Sequence, residues 1–382
     1  MTLWIESAYQ NVIEANAAAS GDAIRTFQTY EQFVAIMASA ASGAPGERLA
    51  DEAASALKQG ARLERVKDMV LASLPGGVHS PFAILHACRG PAAAPPAHLS
   101  ASLLECDAPP LFLVRGGQLV LLPLVEEESH GRLVRDCEFT LQDGDYLAMA
   151  SEGYIRAKGW NRVWGWRDVA LSIKRLTDTR CDAEQLLGAL VRSYYRLAIG
   201  DPTKAVSVVA MAVRPMRTAT VWSGPPLSRQ VDPAVLEKFM AESGKRIICG
   251  DTTAEIAARL LGAEVEMEPP PEEGWAEVPP VSRLAGVDLV TEGVVTLSKA
   301  RERMANAQNA RDLPRQEDGA TRLARLLLAV DKIHLLVGLA VNPAQTVKLP
   351  DGAGVVPMRK IVVEELMRDL AAREKVVTAE YF

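Results

Sequence analysis

Short apolar runs separated by turns dominate the first two hundred residues and predict a β-rich region. The run at residues 33–38 has the length and apolar content of a buried strand. Further strands are predicted at 82–87, 101–105, 111–114, 118–123, 146–150 and 206–213. Helices are predicted at 47–59, 63–74, 167–176 and 183–199. This order predicts an antiparallel β-sandwich with helices packed outside it, an α+β arrangement.

The order of predicted elements changes after Arg214-Pro215. Strands are predicted at 219–222, 246–249, 264–267 and 287–290, with an apolar run at 333–340. They alternate with helices at 232–243, 254–261, 297–307, 318–329 and 358–373. Such alternation is typical of a parallel α/β unit. We therefore expect two domains, 1–215 and 216–382, which suits a chain of 382 residues at about 100–200 residues per domain.

Composition and charge exclude several classes of protein. With 48% hydrophobic and 24% charged residues the chain has enough apolar material for a core, so disorder is not its main state. A net charge of −6 argues against a large cationic surface for nucleic acid. No apolar run approaches the roughly 20 residues of a membrane-spanning helix, and the first residues do not resemble a signal peptide. We therefore expect a cytoplasmic protein without a membrane or nucleic-acid partner.

Cysteine and histidine spacing gives no sign of a soft-metal site. The cysteines are odd in number, scattered and never in a CxxC pair, which argues against a zinc ribbon, an iron–sulfur cluster and a disulfide scaffold. They are Cys88, Cys106, Cys137, Cys181 and Cys249. The histidines show no HxxxH or HxH spacing and are each expected to be core or surface residues. They are His79, His86, His98, His130 and His334.

Three motifs in the first domain place an acid beside a sharp turn. They are Ser20-Gly21-Asp22, Ser151-Glu152-Gly153 and Gly200-Asp201-Pro202. Hard cations such as Mg²⁺ and Mn²⁺ take carboxylate oxygens, so acids at several strand ends could converge on a metal. An acid beside glycine is also a common solvated turn residue. Taken one at a time, these motifs leave both interpretations open.

In their order and with their flanking residues, the motifs resemble the metal-dependent protein phosphatase (PPM) superfamily, in its stage II sporulation protein E-like branch. The segments that carry the resemblance in the first domain are 21–22, 38–40, 80–85, 109–112, 151–155 and 200–203. In the second domain, segments 224–226, 249–253, 288–293 and 341–344 resemble an extension found in one bacterial subgroup. The resemblance implies a PPM-type β-sandwich flanked by helices, followed by an α/β domain. It also implies hydrolysis of phosphoserine or phosphothreonine by water that two Mn²⁺ or Mg²⁺ ions activate.

The chain departs from the family at the implied metal site. Asp22, Glu152 and Asp201 align with metal-binding acids, but Ser39 and Ala40 stand where the family has the bridging aspartate and its glycine. A serine hydroxyl is neutral and does not bridge two dications as a carboxylate does. We therefore predict a phosphatase-like protein that is catalytically impaired or inactive and acts as a regulatory or binding subunit. The alternative is an active Mn²⁺- or Mg²⁺-dependent phosphatase that uses the three remaining acids.

A turn in the second domain is a candidate ligand site. Gly250, Thr252 and Thr253 follow a predicted strand and begin a helix, whose free N–H groups could bind an anion. Asp251 in the same turn could instead cap the helix. Glu292 lies at the end of another predicted strand, where open α/β sheets bind their ligands.

A tryptophan-rich segment in the first domain is a candidate docking surface. Trp160, Trp164 and Trp166 stand among arginines and lysines, and tryptophan and arginine dominate protein interfaces. The alternative is a flap whose tryptophans pack on the sandwich. The family resemblance further implies a protein partner, either a phosphoprotein or a redox-enzyme complex.

Overall fold

The structure is a computed structural model that describes residues 2–13, 22–39, 45–74, 79–89, 98–159, 164–198, 206–269, 278–340, 346–348 and 355–382. The chain forms two compact units, Met1–Pro215 and Met216–Phe382. Each unit has hydrophobic clusters made of its own residues.

The first unit is built on two antiparallel sheets. Sheet I contains, in spatial order, β1 (Leu3–Ile13), β11 (Val206–Pro215), β10 (Tyr146–Ala150), β6 (Phe112–Arg115) and β7 (Gln118–Val120). Sheet II contains β2 (Ala23–Gln28), β3 (Gln32–Ala38), β4 (Phe82–Arg89), β5 (Leu99–Cys106), β9 (Arg132–Leu141) and β8 (Val125–Ser129).

The facing sides of the two sheets share one hydrophobic core. Phe33 and Met37 of β3 belong to the same buried cluster as Met211 of β11. The intervening residues Val34 and Ile36 belong to a second cluster on the outer side of sheet II. Burial on both faces explains why β3 is apolar at consecutive positions rather than at alternate ones.

Helices cover the outer faces of both sheets. Sheet II packs against α1 (Pro45–Lys58) and α2 (Leu63–Ser73). Sheet I packs against α3 (Glu152–Ile155), α4 (Trp166–Leu176) and α5 (Ala183–Leu197). α5 begins with a capping box, in which Asp182 accepts from the Gln185 N–H over 2.7 Å and Gln185 accepts in return over 3.0 Å. The first unit is therefore layered as helices, sheet, sheet and helices.

The second unit contains a mostly parallel sheet. Its parallel strands lie in the order β16 (Leu289–Thr291), β13 (Lys245–Cys249), β12 (Thr218–Ser223), β17 (Lys332–Val337) and β20 (Val376–Tyr381). Beyond β16 it is extended by β15 (Ser282–Arg283) and β14 (Glu266–Met267), both antiparallel to their neighbours. A separate ladder joins β18 (Thr346–Lys348) to β19 (Val355–Pro357). The parallel strands follow the order of a doubly wound α/β sheet, with the first of them central.

Helices flank the parallel sheet on both faces. One face packs against α6 (Asp232–Ala241), which follows a 3₁₀ turn at Arg229–Val231, and against α7 (Asp251–Leu261). The other face packs against α8 (Val294–Ala305), α9 (Gly319–Ala329) and α10 (Met358–Ala371). β12 serves both faces, because Trp222 belongs to the first cluster and Val221 to the second.

The architecture confirms the predicted α+β class and the predicted C-terminal α/β unit. β10 has the predicted bounds, whereas the strand expected to reach residue 123 ends at Val120 and the helix expected from residue 254 begins at Asp251. The apolar pattern missed β1, β2, β8, β9 and β20. β8 shows why: three of its five residues are glutamates, so its backbone pairing with β9 leaves no apolar run in the sequence. No helix in the described part of the chain has the length and apolar character needed to cross a membrane.

Candidate functional site

One end of sheet II brings Asp22 and Ser39 together. Asp22 precedes β2 and Ser39 follows β3, and the two strands pair Ala23 with Ala38. The Ser39 hydroxyl donates a hydrogen bond to Asp22 Oδ1. The Ser39 backbone N–H donates to the Pro81 carbonyl over 2.8 Å, which fixes the turn against the start of β4. The Ser39 hydroxyl therefore occupies one oxygen of Asp22, the first predicted metal ligand.

The Asp22 carboxylate is buried, with only 6% of the residue exposed. Its second oxygen, Oδ2, has no hydrogen-bond partner among the described residues. A buried carboxylate oxygen without a donor is costly, and it is the type of ligand that a hard cation prefers. Asp22 could therefore hold one cation through Oδ2.

Glu152 lies where β10 of sheet I ends. The preceding Ser151 is tied to β11, because the Ser207 N–H donates to Ser151 Oγ over 2.9 Å and the Ser151 N–H donates to the Ser207 carbonyl over 3.0 Å. Glu152 then begins α3, and its carboxylate lies 3.1 Å from Nη1 of Arg156. The guanidinium offsets negative charge that a bound dication would require.

His79 connects the ends of the two sheets. Its Nε2 lies 3.8 Å from the Glu152 carboxylate, and its Nδ1 lies 3.6 Å from the carboxylate of Asp107, which directly follows β5. Asp107 also lies 3.5 Å from Nη1 of Arg132. Sequence reasoning misses both His79 and Asp107, although Asp107 comes after an apolar strand as Glu152 does.

Three predicted site residues, Ala40, Asp201 and Trp160, lie outside the described residues. Within the described ranges no group of three or more histidine, cysteine, aspartate or glutamate side chains could hold a metal ion. Of the acids predicted to bind metal, Asp22 accepts from the Ser39 hydroxyl through one oxygen, and Glu152 lies against an arginine. These two described groups do not form the set of carboxylates that a pair of dications needs.

The predicted ligand turn of the second unit lies at the carboxyl edge of the parallel sheet. Gly250 has a φ of +134° and precedes α7, which begins at Asp251 and has no side-chain hydrogen bond at its N-cap. Gly250 is itself the N-cap and Asp251 lies in the first turn of α7, so capping by Asp251 stays an open alternative. The Gly250 N–H donates to the Thr291 carbonyl over 2.8 Å, which brings the turn beside Glu292. Glu292 accepts from the Thr296 N–H over 3.2 Å at the start of α8.

Two of the three tryptophans pack on the first unit. The Trp166 ring stacks on Phe112 with ring centroids 5.2 Å apart, and its Nε1 donates to the Pro110 carbonyl over 3.2 Å. The Trp164 ring meets Tyr154 edge-on at 6.3 Å. Both rings are half-buried, so these two residues follow the packing alternative. A docking role for the segment stays a prediction.

The cysteines are free and chemically quiet. All five carry unpaired thiols, and burial raises the pKa of each one. The pKa reaches about 11 for Cys106 and Cys137 and about 12 for the fully buried Cys249. Since the thiolate is the reactive form, none of these groups is poised as a nucleophile at neutral pH.

Comparison with solved structures finds phosphatase domains. The PP2C phosphatase domain of SpoIIE from Bacillus subtilis, solved with a fragment of its regulatory domain, is 15% identical with a TM-score of 0.44 over 56% of this chain and 63% of that chain. This chain thus spans less than two thirds of that protein's length. The RsbU and RsbW domains of a Mycobacterium tuberculosis protein are 15% identical with a TM-score of 0.43 over 62% and 67% of the two chains.

A third match is the catalytic domain of the serine/threonine phosphatase PstP, solved with two manganese ions. It is 14% identical with a TM-score of 0.36 over 56% of this chain and all of that chain. No protein-family profile and no curated protein sequence matches the chain. With identities of 14–15% and TM-scores of 0.36–0.44, these three matches concern the fold alone, and they agree with the resemblance that the sequence motifs indicated.

Proposed function

We propose that the chain is a cytoplasmic PPM-type phosphatase-like protein that does not hydrolyse phosphoesters and acts as a regulatory or binding subunit. The observation that carries the proposal is the contact between Ser39 and Asp22. In two-metal phosphoester hydrolysis, carboxylates hold both ions and the ions activate the attacking water. Here the position aligned with the bridging acid carries a hydroxyl that donates a hydrogen bond to the neighbouring carboxylate, so a second ion lacks both a ligand and compensating charge.

The surroundings of Glu152 support the same proposal. Arg156 and His79 both face its carboxylate, at 3.1 Å and 3.8 Å. A cation would have to compete with the guanidinium for this group, and with the imidazole as well when the imidazole is protonated. We therefore propose that Glu152 now serves to join the two sheet ends rather than to bind metal.

The partner that we propose is a protein. The sequence resemblance implies a phosphoprotein or a redox-enzyme complex, and a sandwich without turnover could still hold such a partner. A single observation favours the alternative, an active Mn²⁺- or Mg²⁺-dependent phosphatase. Asp22 Oδ2 is buried and has no donor within the described ranges, and one cation there would satisfy it.

Restoring the bridging carboxylate tests the proposal. Manganese would be titrated calorimetrically into the metal-depleted wild-type chain and into the Ser39→Asp, Ala40→Gly double variant, with turnover of a phosphothreonine peptide measured in parallel. We expect no turnover by the wild type and no more than one weakly bound ion, with Kd near or above about 1 mM. The double variant should bind manganese more tightly, because it gains the missing charge and ligand.

Two control variants separate the bridging role from other effects. Ser39→Ala removes the hydrogen bond to Asp22 without adding a carboxylate, and it should not gain tight manganese binding. Ser55→Asp adds a carboxylate at an exposed position of α1 and should behave as the wild type does. Two-site manganese binding with turnover by the wild type would overturn the proposal and establish the active phosphatase.

A further inference from the structure

The parallel strands of the second unit end in one row at the carboxyl edge of the sheet. Ser223 of β12 pairs with Cys249 of β13 on one side and with Val337 of β17 on the other. From β12 the chain continues to β13, whereas from β17 it continues to β20 at the opposite side of the sheet. Connections that diverge in this way open a crevice beyond the strand ends, which is where open α/β sheets bind ligands.

Two fully buried hydroxyl groups at this edge have no partner. Ser223 and Thr253 are both 0% exposed, and neither Ser223 Oγ nor Thr253 Oγ1 makes a hydrogen bond within the described residues. Thr253 Oγ1 faces the Gly250 turn, since a Cβ built on Gly250 would lie 3.0 Å from it. Buried hydroxyls are almost always paired, so two unpaired ones, at the end of β12 and in the first turn of α7, indicate a missing partner.

Arg359 brings positive charge to the same edge. Its guanidinium lies against Gly224, where a Cβ would come within 2.0 Å of Nη1. Nη1 donates to the Gly338 carbonyl over 3.0 Å, while the buried Nε has no partner in the described part of the chain. Burial lowers the pKa of Arg359 and the charge of Glu292 raises it, so desolvation of this cation is only partly offset.

Two helix N-termini add to this charge. The first intrahelical bond of α7 runs from the Ala254 N–H to the Gly250 carbonyl, so the N–H groups before it are free for a ligand. α10 begins with Met358, Arg359 and Lys360 and has no acid in its first turn. Cations at the positive end of a helix dipole are unfavourable on their own, and an anion would relieve them.

The nearby carboxylates do not fill the crevice. Glu292 already accepts hydrogen bonds from Thr296 at the start of α8. Asp251 is exposed and lies within the first turn of α7. We propose that this edge binds an oxyanion, the phosphate or carboxylate group of a small molecule, held by Arg359, the Ser223 and Thr253 hydroxyls and the first turn of α7. This site is independent of the phosphatase-like site of the first unit.

Calorimetric titration of the full chain tests the proposal, with inorganic phosphate and malonate as separate probes and EDTA present to remove metal from the first unit. We expect saturable one-site binding of at least one probe by the wild type. Arg359→Gln should weaken that binding by about tenfold or more, because it removes a charge-assisted contact. Arg359→Lys should retain part of the binding, since it keeps the charge without the planar guanidinium.

Ser223→Ala is the sharper variant, because its hydroxyl has no hydrogen-bond partner to lose among the described residues. We expect it to weaken binding severalfold while leaving the melting temperature of the unliganded chain unchanged or slightly higher. Matched controls are Arg368→Gln, an exposed arginine on the same helix, and Ser298→Ala, an exposed serine on α8; both should bind as the wild type does.

The two titrations distinguish a phosphorylated ligand from a carboxylate ligand. Binding of phosphate alone identifies a phosphorylated ligand, and binding of malonate alone identifies a carboxylate ligand. Either result supports the site if the Arg359 and Ser223 variants lose affinity. Absence of saturable binding to both probes overturns the proposal, and so does binding that these variants leave unchanged. Neither result bears on the manganese titration of Ser39 and Asp22.

Discussion

At the scale of single residues, Glu105 is a carboxyl group held out of water at the end of β5. It is 0% exposed and accepts a hydrogen bond from the Leu111 N–H over 2.7 Å, which ties the turn before β6 to sheet II. Arg135 lies 2.9 Å from Oε2, although not in hydrogen-bond geometry. Burial dominates over both neighbours and raises the pKa of Glu105 from 4.5 to about 7.

This raised pKa predicts how stability changes with pH. Between pH 4.5 and 7 the folded chain holds a proton that the unfolded chain releases, so this group lowers the free energy of unfolding as the pH rises through that range. Glu105→Gln mimics the protonated form and does not titrate. We expect its stability relative to the wild type to increase from pH 5 to about 7 and then to level off, as measured by urea unfolding at each pH.

The test for Glu105 is how the stability difference between variant and wild type changes with pH, and not how large that difference is. Loss of the ion pair with Arg135 shifts the stability difference by the same amount at every pH. The change of that difference with pH comes from the titration of Glu105. Glu138→Gln, which changes an exposed glutamate on the neighbouring strand β9, serves as the matched control. A stability difference for Glu105→Gln that does not change with pH would show that the pKa of Glu105 is not raised.

At the scale of elements, one buried carboxylate joins the turn between β9 and β10 to β6. Asp145 is 0% exposed and receives both Nε and Nη2 of Arg115, over 2.8 Å and 2.7 Å. Its Oδ2 also accepts from the Gln142 N–H over 2.9 Å inside the turn. The same side chain thus closes the turn and fixes the position of the neighbouring strand.

Asp145→Asn is predicted to destabilise the first unit strongly. The amide keeps the shape of the side chain but leaves the Arg115 guanidinium without its countercharge, which costs about 3 kcal/mol when a buried pair is broken. The control is Glu52→Gln, which breaks the exposed Arg48–Glu52 pair on α1 and should unfold as the wild type does. Urea denaturation gives the free energy of unfolding of each variant. Equal losses of stability in the two variants would contradict a structural role for Asp145.

Elements with a strong apolar pattern are the ones that the sequence predicts well. β3 and β10 are buried along nearly their whole length, so their apolar runs are visible without tertiary information. β1 escapes detection because it pairs with β11, which is distant in the chain, and β8 escapes detection because three of its five residues are glutamates. Pairing across the chain is a tertiary property that local hydrophobicity does not encode.

The candidate site residues also differ in whether the sequence alone reveals them. Asp22 and Ser39 could be found because they stand in motifs that resemble those of a family. His79 and Arg359 could not, since each reaches its site from a segment whose approach depends on how the strands are ordered. Ser223 is an ordinary serine in the sequence, and only its burial without a partner makes it notable.

At the scale of the whole molecule, the hydrophobic clusters separate along the chain. The three clusters of the first unit use residues up to Val213, and the two clusters of the second unit begin at Ala219. We therefore predict that residues 1–215 and 216–382, produced separately, each fold with a cooperative thermal transition. Circular dichroism and amide hydrogen exchange measure this, and a piece that remains unprotected from exchange would show that its core is incomplete.

Chemical labelling of the buried cysteines would report local opening of the structure around them. A maleimide reacts with the thiolate, and at neutral pH these groups stay protonated and covered, so modification has to wait for the structure around each one to open. Cys249 reports on the second unit, whereas Cys106 and Cys137 report on sheet II. The order in which mass spectrometry detects modification of these cysteines would show which part of the protein opens first.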